Sequence, residues 1–288
     1  MKSVAIGIFD GVHRGHQQIL AEAAKHGPVT VLTFDPHPTS IFAPERTPSA
    51  LVSLKDRISL LKENGAVDVV VLPFTKEFAS LSAKEFIKEI LVKELGATHV
   101  TVGSNFTFGH KAAGNVGYLH EHAHGFEVSS VQLEENRGSA ISSSRIRTLI
   151  VDGDVERAND MLTRLFYLRG PVVHGEKRGR TIGYPTANLG LADNATIPAD
   201  GVYAGWLTVG GQRWQAAISI GTNPTFPGVR GRQVEAYAID QVGLELYDQE
   251  AKLEFAFRLR DTLKFESLEP LLVQMKEDCI QAKELLGR

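Results

Sequence analysis

Two histidines three residues apart, His13 and His16, stand in the run Gly7-Ile8-Phe9-Asp10-Gly11-Val12-His13-Arg14-Gly15-His16 near the start of the chain. Gly7, Gly11 and Gly15 let a backbone approach a phosphate closely. A helix N-terminus beside them offers free N–H donors and a partial positive charge. In a first helical turn both imidazoles face the same way, which suits an anion that gains charge in a transition state. A second cluster, Ile141-Ser142-Ser143-Ser144-Arg145-Ile146-Arg147, opens another helix with hydroxyls and two arginines. Read alone it is either a helix cap or a triphosphate site, and both readings stay open.

The second half carries a different chemistry. In Gly183-Tyr184-Pro185-Thr186-Ala187-Asn188 the Thr186 hydroxyl and the Asn188 amide oxygen are hard donors two residues apart, suited to sharing Mg²⁺ with a phosphate. No Gly-Lys-Ser/Thr follows, so this is not a P-loop. Glu235 lies mid-strand in Val-Glu-Ala-Tyr; it either faces solvent or, at a barrel mouth, acts as general base toward a hydroxyl. The basic loop from His174 to Arg180 is either a solvated hairpin tip or part of a nucleotide site. His120, His122 and His124 alternate, a spacing poorly arranged on a helix for a metal, so none is expected there. Trp206 and Trp214 read as barrel core or rim, and Cys279 as a small core residue.

The elements that must hold these groups alternate strand and helix up to about residue 150. Val4–Ile6 is a buried strand before the glycine turn, and residues 17–25 form a helix after it. Strands follow at 28–34, 66–72, 98–102 and 126–133, with the last of these closing the half, and helices at 54–64 and 82–95. Asp35-Pro36-His37-Pro38 ends the second strand, its prolines stopping any regular element. This alternation implies a doubly wound parallel sheet, whose ligands bind at the carboxyl ends of the strands. Asp154 caps a helix running to about Leu165, read as a bridge between two domains. Short glycine-punctuated strands then cover 166–173, 201–207, 214–220, 234–239 and 251–259, an antiparallel barrel or sandwich, before a closing helix at 268–286.

Composition limits the alternatives. The 288 residues are 43% hydrophobic and 23% charged, a globular balance, and the net charge of −3 argues for neither nucleic acid nor an anionic membrane as partner. A single cysteine excludes an internal disulfide. With no signal-like start and no apolar run of membrane length, the expected compartment is the cytoplasm.

The first stretch resembles the His-x-Gly-His motif of nucleotidyltransferases that share a Rossmann-like fold with class I aminoacyl-tRNA synthetases. Taken in order, Gly-x-Phe-Asp-Gly-Val-His-x-Gly-His, Thr-Phe-Asp-Pro-His-Pro, Gly-x-Asn-Phe-x-Phe-Gly, Ile-Ser-Ser-x-x-Ile-Arg, Gly-Tyr-Pro-Thr-Ala-Asn, Gly-Val-Tyr-Ala and Ile-Gly-Thr-Asn-Pro-Thr-Phe make essentially the whole chain similar to the prokaryotic bifunctional riboflavin kinase/FMN adenylyltransferase (FAD synthetase) family. The resemblance implies an α/β Rossmann-like nucleotidyltransferase domain at 1–150, a linking helix at 151–165, and an antiparallel six-stranded Greek-key β-barrel domain at 166–288 with a C-terminal helix. It implies adenylylation of FMN to FAD with release of pyrophosphate in the first domain, and ATP-dependent phosphorylation of riboflavin to FMN in the second.

By the same resemblance His13, His16, Asn105, Arg147 and Glu235 are catalytic. ATP and its phosphates fall to Gly7, Phe9, Asp10, Gly15, Ser143 and Ser144 in one domain and to Gly175, Lys177, Gly179 and Arg180 in the other. Asp35, Pro36, His37 and Pro38 border the flavin, and Thr186 and Asn188 hold Mg²⁺, which is expected at both sites. The partners implied are riboflavin, FMN and ATP, with no nucleic acid and no membrane. Three departures are visible: Ser144 where threonine is usual, Ala140 where some members are basic, and Asp248 in place of a glycine after Leu246-Tyr247. Competing readings keep the adenylyltransferase with another acceptor, such as a pantetheine or nicotinamide mononucleotide, or make the barrel a flavin- or RNA-binding module without turnover. The Pro-Thr-Ala-Asn segment and Glu235 argue against the first, and the acidic net charge against RNA.

Overall fold

The structure is a computed structural model that describes residues 2–132, 135–136, 138–174, 184–222 and 232–287. The chain divides into two compact units, Met1–Ser144 and Arg145–Arg288. The first runs β1 (Ser3–Ile6), α1 (Arg14–Ala24), β2 (Val29–Asp35), α2 (Pro38–Phe42), α3 (Leu54–Glu63), β3 (Ala66–Pro73), α4 (Lys76–Ala79) and α5 (Ala83–Glu85). It continues through a π-helical segment (Phe86–Glu94), β4 (His99–Gly103), the ribbon β5 (Thr107–Phe108) and β6 (Gly114–Asn115), α6 (Val116–Glu121) and β7 (Glu127–Val131). A second ribbon, β8 (Glu135–Asn136) and β9 (Ser139–Ala140), follows β7, so β7 does not close the half as expected.

The sheet order is β3-β2-β1-β4-β7, and every pairing is parallel. β1 is buried throughout because apolar β-branched neighbours cover both its sides. The chain winds one way from β1 to β2 and β3 and the other way to β4 and β7, so the turn leaving β1 stands at the topological switch point. Ile19, Leu20 and Ala23 of α1 pack inward, which holds the helix N-terminus against the strand end it follows.

Two local expectations change. Pro38 does not stop regular structure but opens α2, because its missing N–H falls where a helix has no acceptor for one. The helix expected over 82–95 becomes π-helical from Phe86, with the Leu95 amide donating to the Ile90 carbonyl at 2.9 Å. The wider turn brings Phe86 and Leu91, five apart, onto the same buried face as Ile87 and Leu95.

In the second unit α7 (Ser143–Val151), which crosses the division, and α8 (Val155–Leu162) precede β10 (Phe166–Val173), β11 (Thr186–Leu189), β12 (Gly201–Val209), β13 (Gln212–Gly221), β14 (Gln233–Ala238) and β15 (Glu250–Arg260). Asp154 caps α8, as expected, but the helix ends at Leu162 because Thr163 turns left-handed at φ 59°. The strands close an antiparallel barrel in the order β10-β11-β14-β13-β12-β15. β11 returning beside β14 of the β12–β13–β14 meander is a Greek key. α9 (Leu268–Leu286) closes the unit, its Asp278 carboxylate gripping Arg260 of β15 through bonds of 2.8 and 2.6 Å.

Candidate functional site

The turn after β1 is tied down from several directions. Phe9 and Val12 have positive φ, 55° and 40°, a costly conformation for a β-branched residue such as valine. Neighbouring bonds hold it. The buried Asp10 carboxylate accepts the amides of Leu51 and Val52, the Val12 amide donates to the Phe9 carbonyl, and the Gln17 side chain donates to the Val12 carbonyl. The Ser143 hydroxyl donates to the Asp10 carbonyl at 2.9 Å, which attaches the serine cluster to the turn. Strain sustained by surrounding bonds is a mark of functional loops.

His13 is the N-cap of α1, and its ring Nδ1 accepts the His16 amide at 3.4 Å. The two imidazoles stack with centroids 3.6 Å apart, and Phe9 packs edge-on to His16 at 5.1 Å. A Cβ on Gly15 would meet the His13 ring at 3.4 Å, an ordinary van der Waals contact. Thus Gly7, Gly15, His13, His16 and Ser143 gather at one strand end. Phe9 is fully buried, and Asp10 spends its carboxylate on backbone amides of the chain; both shape the turn from beneath.

The other first-unit candidates lie at neighbouring strand ends. Asn105 is exposed just beyond β4, its Oδ1 against Gly103. Asp35 ends β2, Pro36 follows through a cis peptide, and His37 caps α2 by accepting the Thr39 amide. Ser144 is exposed at the start of α7, and Arg147 stands four residues after Ser143 on that helix, beyond the division.

One residue here escaped the sequence reading. Arg57 of α3 is 7% exposed and donates to the carbonyls of Ile8, after β1, and Phe34, in β2, with Asp35 at 3.4 Å. It stitches the histidine turn to the Asp35–Pro38 loop. Burial lowers its pKa, while Asp10 and Asp35 favour its charge. The signal available was an arginine on the helix stripe that buries Leu60 and Leu61, an unusual place for one.

In the second unit the Thr186–Asn188 segment proves to be the barrel's sixth strand, β11. Thr186 pairs with Tyr237 and Asn188 with Glu235. Since Ala187, Leu189, Val234 and Ala236 fill the interior, period-two alternation puts Thr186, Asn188 and Glu235 together on the other face. The Thr186 hydroxyl donates to Glu235 Oε2 at 3.0 Å. Thr186 and Asn188 also line a cleft of about 340 Å³ with Val172, Leu244 and Tyr247. Tyr247 packs against the His174 ring at 4.1 Å. Gly175, Lys177, Gly179 and Arg180 lie outside the described residues. Asp248 adopts φ 62°, the left-handed turn that glycine would take, and its amide bonds the Val172 carbonyl at 2.9 Å. Trp206 and Trp214 are half-buried on the barrel wall, with Arg213 stacked over Trp206 at 4.0 Å. Cys279 is half-buried against the α9–barrel contact, and burial pushes its thiol up to about 11.

Histidines at a helix N-terminus on the switch point of a parallel sheet suit a nucleotide-binding domain, and the Greek-key barrel gathers a hydroxyl, an amide and a carboxylate on one face. Comparison with known proteins agrees on both halves. The FAD synthetase family matches residues 1–145 and the riboflavin kinase family matches 162–286. Bifunctional riboflavin kinase/FMN adenylyltransferases are similar over nearly the whole length. That of Listeria monocytogenes is 37% identical over 96% of this chain and 90% of its own, and that of Escherichia coli K12 is 35% identical over 99% and 92%. A crystal structure described as a macrolide-efflux protein from Streptococcus pneumoniae superposes with a TM-score of 0.87 at 36% identity, covering 96% of this chain and 92% of that one. Among the described residues no helix is long and apolar enough to cross a membrane. The chain belongs to the bifunctional riboflavin kinase/FMN adenylyltransferase family. It is a kinase and a nucleotidyltransferase in one chain, using ATP to turn riboflavin into FMN and FMN into FAD.

Proposed function

We propose that adenylyl transfer to FMN occurs at the Gly7–His16 turn of the first unit, and riboflavin phosphorylation at Thr186, Asn188 and Glu235 of the second. The observation that carries this division is the Thr186–Glu235 hydrogen bond, which gathers a hydroxyl, an amide and a carboxylate on one barrel face in a unit without the histidine pair. In the first unit an FMN phosphate oxygen attacks the α-phosphorus of ATP, and the bond to the bridging oxygen of pyrophosphate breaks. His13 and His16, aided by the N–H groups of α1 and the Ser143 and Ser144 hydroxyls, hold the negative charge that develops. Asn105 steadies the reacting phosphates, and Asp35, Pro36, His37 and Pro38 border the flavin.

In the second unit the ribityl hydroxyl attacks the γ-phosphorus, ADP departs, and Glu235 takes the hydroxyl proton. Thr186 and Asn188 supply hard oxygen donors that fit Mg²⁺ and would hold it. The chemistry it would supply there is neutralisation of charge on the transferred phosphoryl group. The linking role of 151–165 is supported by the two family matches, which leave residues 146–161 between them.

The test is purified protein with riboflavin, ATP and Mg²⁺, the flavins resolved by chromatography. His16→Ala is expected to slow FAD formation on the order of 10²–10³-fold while FMN accumulates. Glu235→Ala is expected to slow FMN formation on the order of 10²–10⁴-fold while added FMN is still adenylylated. If either folded variant lost both activities, the assignment of separate sites would be wrong.

A further inference from the structure

A second group of side chains able to ligate a metal lies at the amino ends of the first unit's strands. The phosphate-binding turn leaves the carboxyl end of β1, whereas His99 opens β4, Glu127 opens β7, and His26 lies between α1 and β2. His99 and Glu127 are register partners on adjacent strands. One ligand atom from each of His26, His99 and Glu127 lies within 4.8 Å of the others. Among the described residues no other set of three or more His, Cys, Asp or Glu side chains comes together this way.

We propose that His26, His99 and Glu127 form a binding site for a borderline divalent transition-metal ion such as Zn²⁺. Two imidazoles and one carboxylate favour Zn²⁺ over Mg²⁺ or Ca²⁺, which prefer all-oxygen shells. His99 is held for the role. Its ring is 6% exposed, and Nε2 is 2.9 Å from the Ser129 hydroxyl, an outer partner that fixes the orientation of a ligating imidazole. Nδ1 is thereby directed toward Glu127 Oε2 at 3.6 Å, too far for a hydrogen bond but open to a shared cation. His26 Nε2 is buried without a hydrogen-bond partner, with Glu22 Oε1 at 3.7 Å, and a buried ring nitrogen left unbonded costs free energy unless something binds it.

The two rings lie face to face, 3.5 Å apart and 6° from parallel. A metal lies in the plane of each imidazole that binds it, so one ring must turn on binding. His26 is the ring that turns, being less buried than His99 and followed by Gly27 at φ 132°. Glu127, 83% exposed, closes the remaining gap, since bonds near 2.1 Å bring the donor atoms to about 3.4 Å from one another. The ion would tie the end of α1 to the first residues of β4 and β7. Because the unfolded chain has no such site, binding stabilises the fold.

The experiment titrates Zn²⁺ into the full chain without an oligohistidine tag, read by native mass spectrometry and by thermal unfolding. The wild type is expected to bind Zn²⁺ at one site and unfold at higher temperature. His26→Gln and Glu127→Gln, both outside the phosphate-binding turn, should each weaken binding at least about 10-fold and remove the thermal shift. His122→Gln, whose ring stacks on Tyr118, should change nothing. Co²⁺ in place of Zn²⁺ should give visible absorption bands of a four-coordinate ion that Glu127→Gln alters. No Zn²⁺ bound by the wild type, or Zn²⁺ retained undiminished by both variants, as an ion on His13 and His16 would be, overturns the proposal.

Discussion

Arg57 shows what a single side chain does for the first site. Its guanidinium reaches two carbonyls on different strand ends, a geometry that a lysine ammonium cannot span with one nitrogen. Arg57→Met leaves those carbonyls and the Asp10 and Asp35 carboxylates without their cation. The expected cost is about 1–3 kcal/mol in urea unfolding. FMN adenylylation should lose KM for FMN first, while riboflavin phosphorylation, in the other unit, keeps its rate. Equal loss of both activities would argue against a local role. Asp248 is the complementary case, a non-glycine residue at left-handed φ where the resemblance implies a glycine. Its side chain tolerates left-handed φ better than most, so Asp248→Gly should stabilise the barrel by only about 0.5 kcal/mol. Asp248→Val should destabilise it by about 1–2 kcal/mol, and thermal unfolding of the pair measures the sign of each.

Among the elements, β11 and α9 decide the second unit. β11 is short, but its register with β14 sets which residues share a face. A slip of one residue would turn Thr186 and Asn188 into the interior and Ala187 out of it. α9 depends on one buried ion pair. Asp278 is 4% exposed and takes both Arg260 bonds plus a third from Gln274. Asp278→Ala strands the arginine charge, and the expected loss is about 3–5 kcal/mol by denaturant unfolding. Losing less than 1 kcal/mol would show that α9 is held without this pair. Cys279, next along the helix, is kept as a neutral thiol by its burial and packs into the α9–barrel contact.

At the scale of the molecule the two activities belong to units with separate cores, so the intermediate FMN should be exchangeable between molecules. Mixing His16→Ala with Glu235→Ala, each slow to make FAD from riboflavin, should restore FAD formation. FMN released by the first variant is adenylylated by the second. The rate should rise with the concentration of either protein, and a mixture that makes no FAD from riboflavin would show that the two steps cannot be divided between chains.

The sequence alone determined the class of both halves. Alternating apolar runs and helix formers from Val4 onward imply a parallel sheet, and glycines spaced among short strands after Phe166 imply an antiparallel barrel or sandwich, of which the structure closes the barrel. It also singled out His13, His16, Thr186, Asn188 and Glu235, because local spacing displays such chemistry directly. Tertiary structure decided what depends on distant partners. Arg57 matters only because the ends of β1 and β2 close on it, and the sixth strand is a strand only because β10 and β14 offer it ladders. The π-turn after Phe86 answers the core it packs into. His26, His99 and Glu127 are scattered in the chain: the parallel register of β4 and β7 pairs His99 with Glu127, and the turn between α1 and β2 brings His26 to them. The opening turn is the meeting point of the two levels: its residues were legible, but its strained φ angles are held by Leu51, Val52 and Ser143, which only folding brings there.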